Sequence, residues 1–126
     1  MAGYSQKYPL VSYNGLGFDL PAMRARAMIQ DIPINNRMYS NFMKKWEGNE
    51  HHFDLMRVLL NFDYKKYKKL DFYLHRLKIG SKTEGMDGSK VYAAFQEKRF
   101  SEIQTYCEED VLQTARLFAR VEPWIK

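Results

Sequence analysis

The longest amphipathic pattern in the chain lies near its C-terminal end. Over residues 101–121, SEIQTYCEEDVLQTARLFARV, apolar side chains recur at Ile103, Tyr106, Cys107, Val111, Leu117, Phe118 and Val121. That is the spacing of one buried helical stripe. Ser101 is placed to cap the start, and Pro123 to stop the end. Asp110 falls on the same stripe, four residues after Tyr106, so the two share a face. A carboxylate turned toward a core is costly unless it is paired, hydrogen-bonded or metal-bound. Two readings of Asp110 stand side by side. It sits at the stripe's edge and bonds Tyr106, Thr114 or a nearby cation, or Tyr-x-x-x-Asp faces a metal cleft.

Upstream the pattern is shorter-ranged. Residues 9–13, PLVSY, read as a brief strand that ends in the turn signal Asn14-Gly15. Gly15 and Gly17 allow a tight or left-handed backbone. Asp19 is placed to cap a helix over 21–30 that stops before Pro33, with Pro21 in its first turn. A short helix is expected within 37–46, a loop at 47–49, a brief strand at 51–55 and a helix over 56–61. Residues 70–79 form an amphipathic helix with Leu70, Tyr73, Leu74 and Leu77 inward and Gly80 as its stop. A further helix starts at 87–89 with Val91, Tyr92 and Phe95 inward, and a break near Arg99 leads to the last helix. Residues 1–8 carry no pattern and are expected to be disordered.

These elements imply a helix-rich α/β domain with a sheet of about two strands. At 126 residues the chain suits a single domain. Its 45% apolar content is that of a globular protein. The 20 Lys and Arg against 15 Asp and Glu leave a net charge of +5, which favours an anionic partner. One cysteine makes no internal disulfide, and Cys107, on the inner face, is expected to be a buried reduced thiol in a cytoplasmic protein. No run of 18 apolar residues and no signal-peptide pattern is found, so a soluble protein is expected.

Candidate chemistry is concentrated in few places. Residues 64–69, YKKYKK, interleave Lys65, Lys66, Lys68 and Lys69 with two tyrosines. This suits phosphate neutralisation with base stacking, or equally a solvated surface run. His51 and His52 beside Asp54 suggest metal, but adjacent residues point apart, and three histidines with one cysteine make a zinc site improbable.

Taken together, the motifs carry a resemblance. Asn14-Gly-Leu-Gly-Phe18-Asp19 after a strand and Tyr106-Cys-Glu-Glu-Asp110 in a late helix resemble two signatures of DEDD-group 3′–5′ exonucleases, in the tyrosine-containing branch. His52-Phe-Asp54-Leu, Gly85-Met-Asp-Gly-Ser89 and Asp110-Val-Leu-Gln-Thr114 are similar to a narrower set, the predicted exonucleases related to the proofreading domain of B-family DNA polymerases. The resemblance runs from residue 9 to residue 121. It implies a ribonuclease H-like fold and hydrolysis of single-stranded DNA ends with two divalent ions, Mg²⁺ or Mn²⁺. Such chemistry needs several carboxylates converging within about 4 Å, and hard oxygen donors suit those ions.

By the resemblance Asp19 and Asp110 are metal ligands and Tyr106 orients the attacking water. Asn14 supports the strand–helix turn or contacts the substrate strand, and Asp54 is structural; Phe18 and the lysine run Lys65, Lys66, Lys68 and Lys69 are candidate substrate contacts. The family's first motif, Asp-x-Glu on an opening strand, has no counterpart, since no acidic residue precedes residue 10. The chain is therefore expected to be the C-terminal half of such a domain, a truncated ribonuclease H-like fold that is weak or inactive alone. The uncovered strand edge leads to an expected homodimer, or a complex with a chain supplying the other half. A non-catalytic nucleic-acid-binding module and a self-associating structural protein are the competing readings.

Overall fold

The computed structural model describes residues 8–43, 50–60, 64–80 and 86–125. The expected disorder before residue 8, the 47–49 loop, the ends of the 37–46 and 56–61 helices, and Gly85 of one motif lie outside the described residues. Two compact units divide the chain, one ending at Lys68 and one spanning Lys69–Trp124. The protein is mostly helical with one small parallel sheet. No helix among the described residues is long and apolar enough to cross a membrane.

The first unit starts with strand β1, Leu10–Ser12, paired in parallel with β2, His52–Asp54. Leu10 lies opposite His52 and Ser12 opposite Asp54, so these four side chains share one face. Between the strands run α1, Leu20–Ile29, and α2, Asn36–Phe42. Asn35 starts α2 by accepting the Met38 N–H at 3.0 Å. Leu20, Met38, Tyr39 and Phe42 form the core here, with Leu10, Ile34 and Met43 packed against it. A short helix α3, Leu55–Val58, follows β2, and residues 64–66 make a single 3₁₀ turn.

The second unit holds α4, Leu70–Arg76, α5, Val91–Gln96, and α6, Phe100–Ile125, whose last residue clusters with the first unit. Leu74 of α4, Ala94 of α5 and Leu117 of α6 are wholly buried. Leu70 and Leu74 are the inward positions that the pattern predicts. The inward residue of α5 is instead Ala94, while Tyr92 and Phe95 are exposed. Residues 88–90 are a turn, so α5 begins later than its expected start at 87–89.

The α6 stripe also differs from expectation. Its sheltered positions include Ile103, Tyr106, Asp110, Gln113, Leu117, Phe118 and Val121, whereas Cys107 and Val111 are exposed. Cys107 lies about 100° round the helix from Tyr106, which carries it to the solvent side; the expected buried thiol is an exposed one. Ser101 is in the first turn rather than at the cap. Pro123 lies inside the helix. A proline's φ is already helical and it removes one donor only, so near a helix end the helix survives it.

Three helix ends are built alike, and none uses glycine. After α1, α4 and α5 the chain turns left-handed at Asp31, Lys78 and Lys98, with φ of 52°, 56° and 58°. The next N–H reaches back to the last turn: Ile32 to Ala27 O at 2.8 Å, Ile79 to Leu74 O at 3.0 Å and Arg99 to Ala94 O at 2.9 Å. This is the Schellman closure, in which a left-handed residue satisfies otherwise orphaned carbonyls. Gly80, expected to be the α4 stop, serves close approach instead. A Cβ there would stand 2.8 Å from Gln113 Oε1, so the backbone after α4 lies directly against α6. A left-handed side chain carries a steric penalty that glycine does not. Lys98→Gly is therefore expected to stabilise the fold by about 1 kcal/mol, read as a higher midpoint in thermal or urea denaturation; a lowered midpoint would contradict the left-handed closure.

Candidate functional site

The turn between β1 and α1 carries Asn14, Phe18 and Asp19, and one buried carboxylate builds it. Asp54, 1% exposed at the end of β2, accepts the backbone N–H of Asn14 at 2.7 Å through Oδ1 and of Leu16 at 3.0 Å through Oδ2. Arg57, one turn on, places its Nε 3.3 Å from Asp54 Oδ2. Arg57 itself is buried, its guanidinium 5.6 Å from the Tyr67 ring centroid. Charge and hydrogen bonds thus offset the loss of water around both ions.

Residues 15–19 wind as a π-helical turn that runs directly into α1. The left-handed residue is Asn14, at φ 65°, not either glycine. Gly15 and Gly17 are required by space. A Cβ on Gly15 would collide with Ser12 Oγ, and one on Gly17 with Asn14 Oδ1 and, at 2.9 Å, Arg57 Nη2. Asp19 does not cap α1: its backbone is already helical and it makes no side-chain cap bond. It is exposed on the wall of a groove of about 320 Å³ lined with Leu10, Ser12, Gly15, Leu20, Met23 and Phe42.

Beneath the groove lies a second polar chain. The Gly15 N–H donates to Ser12 Oγ at 3.1 Å, Ser12 Oγ is 2.7 Å from His52 Nε2, and His52 Nδ1 is 2.8 Å from Phe42 O. A carbonyl only accepts, so Nδ1 holds the ring proton and Nε2 accepts from the Ser12 hydroxyl. Burial pushes the His52 imidazole below its ordinary value of 6.5; the Phe42 carbonyl, Asp54 and Asp19 oppose that, while Arg57 adds to it. Sequence reasoning saw His52 as a doubtful metal ligand and as part of a family motif, and assigned it no structural role. Its spacing to Asp54 and the Ser-x-x-Gly ahead of the turn are the only signals of this network.

Among the remaining candidates, Phe18 is 67% exposed. Lys65, Lys66 and Lys68 lie on the surface of the first unit and Lys69 on that of the second. Tyr13 donates its hydroxyl to Lys68 O, tying the basic run to the residue after β1. In the second unit Tyr106 and Asp110 are half-buried on one face of α6, and Thr114 Oγ1 donates to Asp110 O at 2.7 Å. Asp19 belongs to the first unit, Tyr106 and Asp110 to the second.

Asp19 and Asp110 offer the hard oxygens that Mg²⁺ or Mn²⁺ prefers. Yet among the described residues no three His, Cys, Asp or Glu side chains gather closely enough to hold an ion.

Two outcomes test this site. Asp54→Ala strands a buried guanidinium, the buried Leu16 N–H and the half-buried Asn14 N–H, so it is expected to cost about 3–5 kcal/mol in urea denaturation; a cost near zero would remove the clamp. His52 titrates higher in the unfolded chain than in the folded one. Between the depressed folded value and 6.5 the unfolded chain binds more protons, so stability falls as pH drops through that window and is regained above it. Melting temperature is expected to fall between pH 7.5 and 5.5 and to flatten in His52→Gln; a parent curve already flat would show that His52 does not titrate this way.

Comparison with curated proteins gives no match, and neither does comparison with solved structures. A family model for predicted 3′–5′ exonucleases related to the exonuclease domain of PolB matches residues 2–124. A glycine-bearing turn that ends in an aspartate, a buried His-x-Asp strand and a Tyr-x-x-x-Asp helix thus occur in a chain that belongs to this family of predicted 3′–5′ exonucleases.

Proposed function

We propose that this domain engages the ends of single-stranded DNA as an exonuclease-like half-site and, by itself, hydrolyses them weakly or not at all. The observation that carries this reading is the clamped turn. Asp54 holds Asn14 and Leu16 so that Asp19 stands exposed at the groove wall, in a chain of an exonuclease family. Asp19 and Asp110 are the two carboxylates this chain contributes, and Tyr106 is the hydroxyl that orients a water. Asn14 and Phe18 border the bound strand, and Lys65, Lys66, Lys68 and Lys69 neutralise its phosphates.

A complete site needs further carboxylates. Among the described elements β1 pairs only with β2, and an apolar groove runs along the face that carries Leu10 and Ser12. A strand supplied by a second polypeptide, from another copy or a complementary chain, would find backbone partners at the open edge of β1. The chain is accordingly proposed to act as a homodimer or within such a complex. A second reading, nucleic-acid binding without cleavage, is favoured by the surface position of all four lysines.

Hydrolysis of 5′-labelled single-stranded DNA by the pure protein, with Mg²⁺ or Mn²⁺ added, tests the half-site. Trace activity at most is expected, together with a dimer by light scattering. Robust activity lost in Asp19→Ala or Asp110→Ala would show the centre to be complete. A monomer at high concentration would count against the shared site.

A further inference from the structure

We propose that two copies of this chain cross on the outward face of α6, antiparallel and about a two-fold axis at Leu112. The contact goes beyond the shared site above, since it uses neither the β1 edge nor any candidate site residue. Val111 and Leu112 are 69% and 49% exposed near the middle of the helix. The buried stripe of α6 lies on its other side, so these two belong to a second apolar surface.

That surface is built as two rows. Residues four apart on a helix stand one above the other. Glu108, Leu112 and Arg116 make one row, and Val111, Ala115 and Ala119 make the next; all six are exposed. The second row is low, because two of its members end at Cβ, and this leaves a groove beside Leu112. When such rows from two helices interlock, the axes cross at about 50° and stand about 8–10 Å apart. Each leucine then packs beside the alanines of the other copy.

Charge selects the partner. Glu108 and Arg116 stand four residues before and after Leu112. Neither has an opposite charge three or four positions away, where it would stabilise the helix, and Arg116 has the like charge of Arg120 there. Neutral amides answer both instead: Gln104 Nε2 donates to Glu108 at 2.9 Å, and Arg116 donates to Gln113 Oε1 at 3.4 Å. Both charges lie too far from the ends of α6 for the helix dipole to explain acid before base. The same row read backwards, however, sets Arg116 against Glu108 on both sides of Leu112. An antiparallel copy satisfies the two pairs at once, as a symmetric interface requires. A parallel copy sets Glu108 on Glu108, and a nucleic-acid strand is repelled by that carboxylate.

Disulfide trapping reads this contact alone. Leu112→Cys, in a Cys107→Ser background, is expected to crosslink under mild oxidation, since a residue on the axis meets its own copy within disulfide reach. Thr105→Cys, on the same face but about 20 Å from its copy, is expected not to. Added to Leu112→Cys, Glu108→Arg and Arg116→Glu are each expected to slow crosslinking about tenfold at low salt. The double exchange Glu108→Arg/Arg116→Glu is expected to restore the rate, a rescue that a folding defect does not give. Crosslinking no faster at 112 than at 105, or indifferent to the charge exchange, overturns the α6 contact. If the chain is still a dimer by light scattering, the strand-edge assembly stands; a parent that stays monomeric overturns both.

Discussion

Much of the first unit depends on one buried carboxylate. An unpaired charge in the interior costs several kcal/mol, and Asp54 is all but inaccessible to water. It is tolerated because two backbone N–H groups and the Arg57 guanidinium surround it. Those partners are not spectators. Satisfying Asp54 requires Asn14 and Leu16 to aim their amides inward, which bends the chain through a left-handed Asn14 and leaves no room for a Cβ at positions 15 and 17. The start of α1, the position of Asp19 and the shape of the groove follow from that bend.

The neighbouring network works by a different rule. Ser12, His52 and the Phe42 carbonyl exchange hydrogen bonds between neutral groups, which link β1, β2 and the end of α2 with no ion to desolvate. A small sheet with few apolar residues is thus held by polar groups that have defined directions. Such groups specify one arrangement where a purely apolar contact would accept several. The turn that these bonds and Asp54 hold carries Asp19 and Phe18 at the surface.

Against this rigid scaffold the chemistry of the chain is unevenly supplied. Recognition groups are plentiful: exposed lysines, exposed rings and a groove beside a strand edge. Among the described residues no three His, Cys, Asp or Glu side chains gather into a metal-binding group. The family to which the chain belongs is one of predicted 3′–5′ exonucleases.

The sequence by itself determined the period of each element, the α/β class, the two strands and the family. The β-forming residues of 9–13, the turn residues after them and the 3.6-residue repeat of the last helix are local properties, legible without neighbours. The inward face of α4 and much of that of α6 were legible as well, but tertiary structure alone decided the inward residue of α5 and the edges of the α6 stripe, because those depend on what each helix packs against. Cys107 and Val111 are apolar yet exposed, while Gln113 is polar yet buried, its amide lying against the bare backbone of Gly80. The same holds for the candidate site. Asp19 reads as a helix cap in sequence, but the bonds that shape its turn come from Asp54, 35 residues downstream, and a contact across that separation has no local signature.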